Sequence, residues 1–375
     1  MLSWVHFGDL HITEANEPNH GDFIALVEDA NRHLAGSVDF AVLPGDNADD
    51  GTEAQFRMVR AAADRLRMPL HILPGDHDFK PRNLDAFRAV LAASPLPAAH
   101  TVAGHRCVFL DMVSAGSGGP DFRLGAAQMA WLRKELEQAK NHGLPSVVFM
   151  HIYPADLREG AAEVATLFTR HRVLCVDMGH THYNEIANDG HTIYAATRST
   201  GQIEEGPVGF SLAAVDGGVV SWRFKPLGRP WPLVLITSPA DDRMIVDPSA
   251  PDQVLRGPVN VRARIWGGAG IVRVRCRVDG GRAWTMAPIP DEPAMWHGVR
   301  DLSDLADGLH RLTVQAEDAA GGVDEDAITV RMSRSGACAA PRRAAPGSEA
   351  NAIGAWPEKG IPGGQLGPNR NGRKW

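Results

Sequence analysis

The chain of 375 residues has no run of 18 apolar residues, so nothing in it reads as a membrane-spanning helix. Cysteine is scarce. Cys107, Cys175, Cys276 and Cys338 are widely spaced and form no C-x-x-C pair, which reads against a disulfide framework or a zinc knuckle and for plain thiols. No basic leader followed by an apolar segment opens the chain, and a cytoplasmic location is the expectation. An excess of positive charge is lacking too. The net charge is −7, and no basic groove or aromatic-interleaved patch is visible, so a nucleic-acid polymer is not an expected partner.

What is present is the composition of a soluble globular protein, 44% apolar and 22% charged, long enough for two or three domains. The charge is uneven. From Arg334 onward seven Lys/Arg face two Asp/Glu, a net of +5, so the remainder carries −12. An acidic body fits carboxylates that hold cations.

Strand-like and helix-like segments alternate through the first half. Residues 3–8, 38–43 and 69–73 read as strands, and 22–35 and 52–66 as helices with apolar residues at helical spacing. The pattern continues with a strand at 106–111, a helix at 126–140, and strands at 146–150, 173–178, 192–196, 209–215 and 218–224. Such alternation predicts a layered α/β fold, with a site where loops leave the carboxyl ends of strands. Near Pro230-Trp231-Pro232 the texture changes. Short alternating runs at 259–265, 271–278, 282–287, 309–316 and 326–332, separated by Gly and Asp turns, predict an antiparallel β-sandwich of immunoglobulin-like type. The Cys…Trp…Cys pattern of antibody domains is absent. The predicted units are thus 1–228, 233–333 and a Gly/Pro-rich basic tail, 334–375. Tail composition suggests disorder, whereas Trp356, Ile361, Leu366 and Trp375 suggest a docked extended segment.

Five blocks carry the chemistry: Asp9-Leu10-His11, Gly45-Asp46-Asn47-Ala48-Asp49, Gly75-Asp76-His77-Asp78, His151, and Gly179-His180-Thr181-His182. Sixteen histidines make any one of them uninformative; the order of the blocks and their placement at strand ends carry the reading. Asp and His suit Mn, Fe and Zn ions alike. Strand alternation puts Asp9 and His11 on one side, within reach of one ion. Asp46 has two oxygens and can bridge two ions. His180 and His182 can hold one ion each or share one, and Asp76 and His151 complete a second set of donors. Two ions about 3.5–4 Å apart clamp an ester phosphate and generate hydroxide between them.

These blocks resemble the pattern of the calcineurin-like metallophosphoesterases, D-x-H, G-D-x-x-D, G-N-H-D/E, H, G-H-x-H, over roughly residues 1–228. Within that family the chain is most similar to bacterial class III cyclic-nucleotide phosphodiesterases and glycerophosphodiesterases. The Pro-Gly before the second and third blocks and the stretch Gly125, Gln128, Trp131, Leu132 support this. The resemblance implies a four-layer α/β/β/α sandwich. It implies one ion on Asp9, His11, Asp46 and His182, and another on Asp46, Asp76, His151 and His180. It makes His77 the group that stabilises or protonates the leaving oxygen, with Asp49 orienting His77 or a ligand. Asp78 reads as structural, bonding its own loop, and Thr181 and Tyr183 as flanking residues able to touch substrate. The implied reaction is in-line attack of a metal-bridging hydroxide on a small phosphodiester, a cyclic nucleotide or a glycerophosphodiester.

Asp76 departs from the pattern, which has Asn there. The added negative charge is expected to favour monoanionic diesters over dianionic monoesters, or an Fe³⁺/M²⁺ pair; alternatively Asp76 merely replaces one oxygen ligand by another. A phosphomonoesterase on the same site is the alternative activity, and a metal-binding scaffold or adhesion protein using the β-sandwich is the alternative class. The tail's arginines and Trp375 are expected to fold over the site or a neighbouring subunit, and a homo-oligomer is compatible with the chain.

Overall fold

The computed structural model describes residues 1–91, 95–118, 121–203, 205–335 and 346–363. The chain opens with β1 (Leu2–Phe7), α1 (Pro18–His33), β2 (Phe40–Leu43), α2 (Glu53–Ala63) and β3 (Leu70–Ile72). Thr52 sets the start of α2 with a reciprocal cap: its hydroxyl accepts from Gln55 N at 3.3 Å, and Gln55 Oε1 accepts from Thr52 N at 3.4 Å. β2 lies parallel to both β1 and β3, as strand–helix–strand connections require. Then come α3 (Asp85–Val90), β4 (Ala98–Val102), β5 (His105–Phe109), α4 (Gly125–Asn141), β6 (Ser146–Phe149), α5 (Ala161–Arg170), β7 (Val173–Met178), β8 (Glu185–Asn188) and β9 (Ile193–Ala196). They build a second sheet in the order β4-β5-β6-β7-β9-β8. β10 (Gly209–Asp216) and β11 (Val219–Pro226) return to the first sheet, giving β11-β10-β1-β2-β3.

The two sheets lie face to face. Trp4 and Phe40 of the first meet Phe149 of the second, with ring centroids 5.4 and 5.5 Å apart and near-perpendicular planes. Alternate residues Val5 and Phe7 point the other way and join Phe23, Leu26 and Val27 of α1. On the far side Val148 and Val176 join Leu132, Leu136, Val164 and Phe168 of α4 and α5. All residues of β1, β2, β6 and β7 are buried, because each strand is covered on both faces. This is the α/β/β/α layering expected from the sequence.

From residue 233 the chain is largely strands, compatible with a β-sandwich. β12 (Leu233–Ser238), β13 (Val254–Leu255), β14 (Pro258–Trp266), β15 (Ile271–Val278), β16 (Trp284–Thr285), β17 (Ala287–Pro288), β18 (Met295–Asp301), β19 (Gly308–Asp318) and β20 (Val323–Met332) form two sheets, β12-β14-β18-β17 and β13-β20-β19-β15-β16. Val261, Ile265, Val274, Cys276, Leu312, Val314, Ile328 and Val330 share one apolar cluster between them. Three strands escape the sequence reading: 233–238 and 295–301, neither of which alternates cleanly, and the two-residue β13. The run at 282–287 is a strand only in the two short pieces β16 and β17. In the first half α3, α5, β4 and β8 were not foreseen. Met129 of α4 is partly buried and packs against the core beside Leu132 and Leu136.

The tail is docked where it is described. Trp356 and Ile361 are buried, and Ala352 bridges to Ala187 on the edge strand β8. Leu366 and Trp375, with the tail's last three basic residues, lie outside the described residues. Cys107, Cys175 and Cys276 are buried free thiols; Cys338 lies outside the described residues. Among the described residues no helix is long and apolar enough to cross a membrane.

Candidate metal centre

The five blocks converge. β1, β2 and β3 deliver Asp9 and His11, Asp46 and Asp49, and Asp76 and His77 from the carboxyl end of the first sheet. β6 and β7 deliver His151, and His180 and His182, from the same end of the second. Asp9, His11, Asp46 and His182 form one group of donors, and Asp46, Asp76, His151 and His180 another; within each, one ligand atom per residue lies within 4.8 Å of the rest. Asp46 belongs to both. Its Oδ2 is 3.7 Å from His11 Nε2 and 3.5 Å from His151 Nε2. Asp76 Oδ1 is 3.3 Å from His151 Nε2 and 3.4 Å from His180 Nδ1. His11 Nε2 and His182 Nε2 stand 3.1 Å apart, and His182 Nε2 is 3.7 Å from Asp9 Oδ2.

The backbone explains how. The expectation that strand alternation carries Asp9 and His11 to one side needs correction, because β1 ends at Phe7. His11 takes a left-handed conformation (φ 42°), and Leu10 N and His11 N donate to Asp46 O at 3.0 and 2.8 Å. Asp46, His180 and His182 are also left-handed, with φ of 51°, 63° and 61°. Four of seven candidate ligands thus hold a conformation that costs about 1 kcal/mol or more each for a residue bearing a Cβ. The glycines of the blocks make room. A Cβ on Gly75 would strike the Asp46 carboxylate, and one on Gly179 the Asp9 carboxylate. His151 Nδ1 donates to Pro44 O at 3.1 Å, which fixes the ring with Nε2 turned toward the carboxylates.

The electrostatics favour cations. Burial pushes Asp9 well above the usual carboxylate range, and the Asp46 charge adds to it while His151 opposes. Burial and Asp76 also push Asp46 up, but His151 and His11 outweigh them and hold it at about 2. Burial is likewise outweighed at Asp76, which His151 and His180 hold well below the usual range. Burial and then His11 push His182 down to about 3, so it is neutral, the form that binds a metal. Burial opposes a proton on His151, yet Asp46 and Asp76 raise it well above the usual imidazole range. Asp9 Oδ1 is buried without a hydrogen-bond partner. Three buried carboxylates, four imidazoles and no sulfur are a donor set that fits Mn, Fe or Zn class ions.

A third group lies alongside, made of His11, Asp49 and His77. Asp49 Oδ1 accepts from His77 Nδ1 at 3.1 Å and lies 3.4 Å from His11 Nδ1, so it faces both imidazoles. Hydrogen bonding from His11 holds Asp49 below the usual carboxylate range. Gln202 Nε2 donates to Asp49 Oδ1 at 3.1 Å, and Lys80 Nζ is 3.7 Å from Oδ2. Neither Gln202 nor Lys80 stands in a block, and the sequence carries no signal for them. His77 N donates to Asp46 Oδ1 at 2.9 Å, tying His77 to the shared carboxylate. Asp78 binds more than its own loop: it accepts from Gly75 N at 3.0 Å, but also from Ala48 N at 2.9 Å and Asn47 Nδ2 at 2.8 Å, fastening the second block to the third. Thr181 and Tyr183 are buried, with Thr181 Oγ1 donating to Tyr183 O at 3.3 Å. Phe122 packs its ring 5.0 Å from that of His180, another neighbour the sequence did not disclose.

Fold and cluster together define a two-sheet phosphoesterase architecture with a candidate dimetal site. Residues 3–184, just under half of the chain, match the family described as calcineurin-like phosphoesterase. Among curated proteins, the chain is 27% identical over 180 residues to glycerophosphodiester phosphodiesterase GpdQ of Enterobacter lignolyticus, covering 46% of this chain and 64% of that protein. It is 25% identical over 206 residues to 3',5'-cyclic adenosine monophosphate phosphodiesterase CpdA of Escherichia coli, covering 52% and 73%. The first of these matches thus spans less than two thirds of the relative. A dimetal phosphatase from Danio rerio overlays with a TM-score of 0.49 at 14% identity, covering 60% of this chain and 96% of that one.

Proposed function

We propose that this chain is a metal-dependent hydrolase of small phosphodiesters, glycerophosphodiesters or cyclic nucleotides. The observation that carries the proposal is the sharing of Asp46 between two donor groups, with the His77–Asp49 pair beside them. In this reading Asp9, His11, Asp46 and His182 hold one ion, and Asp46, Asp76, His151 and His180 the other. When bound, the ions neutralise the phosphate oxygens and activate a water. The chain's own residues do the rest. Asp49 takes His77 Nδ1, so His77 Nε2 is the nitrogen left to give a proton to the leaving oxygen. Thr181 and Tyr183, on the ligand loop, are the residues to test for substrate contact. The strand-rich region from 233 is read as the immunoglobulin-like unit of the domain plan 1–228, 233–333 and 334–375.

The two named relatives act on diesters, and Asp76 favours the same choice, because it adds one negative charge to the donor set and weakens the pull on a dianionic monoester. Metal-loaded protein should therefore hydrolyse bis(p-nitrophenyl) phosphate and lose that activity to a chelator. Turnover that ignores both metal and chelator would sink the proposal. Asp76→Asn, loaded with the same metal, should raise the monoester-to-diester rate ratio; an unchanged ratio would leave Asp76 as a simple ligand exchange.

A further inference from the structure

The carbonyl of Gly360 accepts two side-chain donors from distant loops, Asn184 Nδ2 at 2.7 Å and Arg198 Nη2 at 2.8 Å. Asn184 stands two residues beyond His182. Its Oδ1 accepts from Arg198 N at 2.9 Å. Next along that loop, Ser199 N donates to His182 O at 3.2 Å and Ser199 Oγ to Asp9 O at 2.8 Å, and Thr200 N donates to Asp9 O at 2.8 Å. One carbonyl of the tail therefore closes a hydrogen-bonded path to the backbones of two candidate ligands, His182 and Asp9.

The carbonyl is itself held firmly. Gly360 is left-handed (φ 87°), and a Cβ there would strike Phe224. Lys359 before it is 2% exposed, with Nζ 2.6 Å from Asp326 Oδ2 of β20. Trp356 is 3% exposed beneath the Arg243 guanidinium, 3.6 Å from its ring centre. Upstream, Ile353 N donates to Ile186 O at 2.9 Å on the edge of β8. The paired ammonium and the buried indole seat this stretch firmly against the strand-rich region.

We infer that residues 346–363 form a strap, anchored on the strand-rich region, that positions the donor group of Asp9, His11, Asp46 and His182 through Gly360, Asn184 and Arg198. Asn184 and Arg198 are positioning residues, and the inference rests on the metal reading above. The second group is tied to this path less directly: His180 shares the His182 loop and its N donates to Asp9 Oδ2 at 2.6 Å, whereas Asp46, Asp76 and His151 stand on other loops, and no bond of the Gly360 path reaches the backbone of any of the four. Losing the strap should thus weaken one ion and spare the other.

The test uses full-length protein titrated with Mn²⁺, read as bound metal per chain and as the electron-spin signal of a coupled ion pair. Trp356→Ala with Lys359→Met releases the strap without touching the site; Asn184→Ser cuts the link alone. Both should need about 10–100-fold more Mn²⁺ than wild type for the second equivalent and the pair signal, with the first equivalent unchanged. Val330→Ala, which loosens the same region away from the strap, should titrate like wild type. The inference is overturned if Asn184→Ser binds both ions as wild type does, or if Val330→Ala shifts the titration equally. Wild type that binds no Mn²⁺ overturns the metal reading and the strap with it.

Discussion

Two regions of this chain bury charge, and they do so in opposite ways. On β20 of the strand-rich region the buried Asp324 and Asp326 each meet a base, one from β11 and one from the tail. Arg223 Nη1 lies 2.5 Å from Asp324 Oδ2, and Lys359 Nζ 2.6 Å from Asp326 Oδ2. In the α/β region Asp9, Asp46 and Asp76 crowd together among imidazoles, with no Lys or Arg within ion-pair distance of their oxygens among the described residues. The first arrangement is satisfied by the protein itself, so it contributes to the fold. The second is matched only in part by its own imidazoles, which leave Asp9 raised by burial, so added positive charge completes it and it costs stability for the sake of chemistry.

The sharpest way to break the comparison is Asp9→Asn, at the carboxylate that burial pushes well above its usual range. Turnover should fall on the order of 10³-fold, while metal-free protein should become more stable in urea as that poorly matched buried carboxylate is lost. A loss of stability in the metal-free variant would show that the two regions do not differ. Asp324→Ala is the converse. It leaves Arg223 buried without its partner and should cost about 3–5 kcal/mol, read as a lower urea midpoint, while the Mn²⁺ titration of the folded fraction stays unchanged. The smallest effect sharpens the contrast at a half-buried group outside both clusters. Burial and then His100 push His71 down to about 4, below its unfolded value near 6.5. The unfolded chain therefore takes the proton first. His71 contributes fully above pH 6.5, and as pH falls from there to about 4 up to about 3 kcal/mol is lost. His71→Phe should flatten that part of the stability profile; an identical profile would remove His71 from the account.

Much of the candidate site was legible because its residue types are costly anywhere else. Asp-x-His, Gly-Asp and Gly-His-x-His at the ends of apolar runs led to both donor groups that the structure assembles. The layered half was legible for a related reason, since strands covered on both faces read as continuous apolar runs. Legibility failed where meaning depends on distance in the fold. Gln202 and Lys80 reach Asp49 from separate loops, and Asn184 meets Gly360 across 176 positions. The edge strand β4 escaped for want of a strong pattern, as partial cover relaxes alternation.

The sequence by itself determined which atoms are available to the site, their order along the chain and the strand ends that carry them, because side-chain chemistry and apolar periodicity are local properties. Only the tertiary structure decided that Asp46 belongs to both donor groups, that four candidate ligands turn left-handed, and that Gly75 and Gly179 stand aside for carboxylates. It alone decided that the end of the described tail is tied to the loop of His182. Those facts depend on the packing of two sheets against each other, and no local pattern records how far apart two loops lie once the sheets have met.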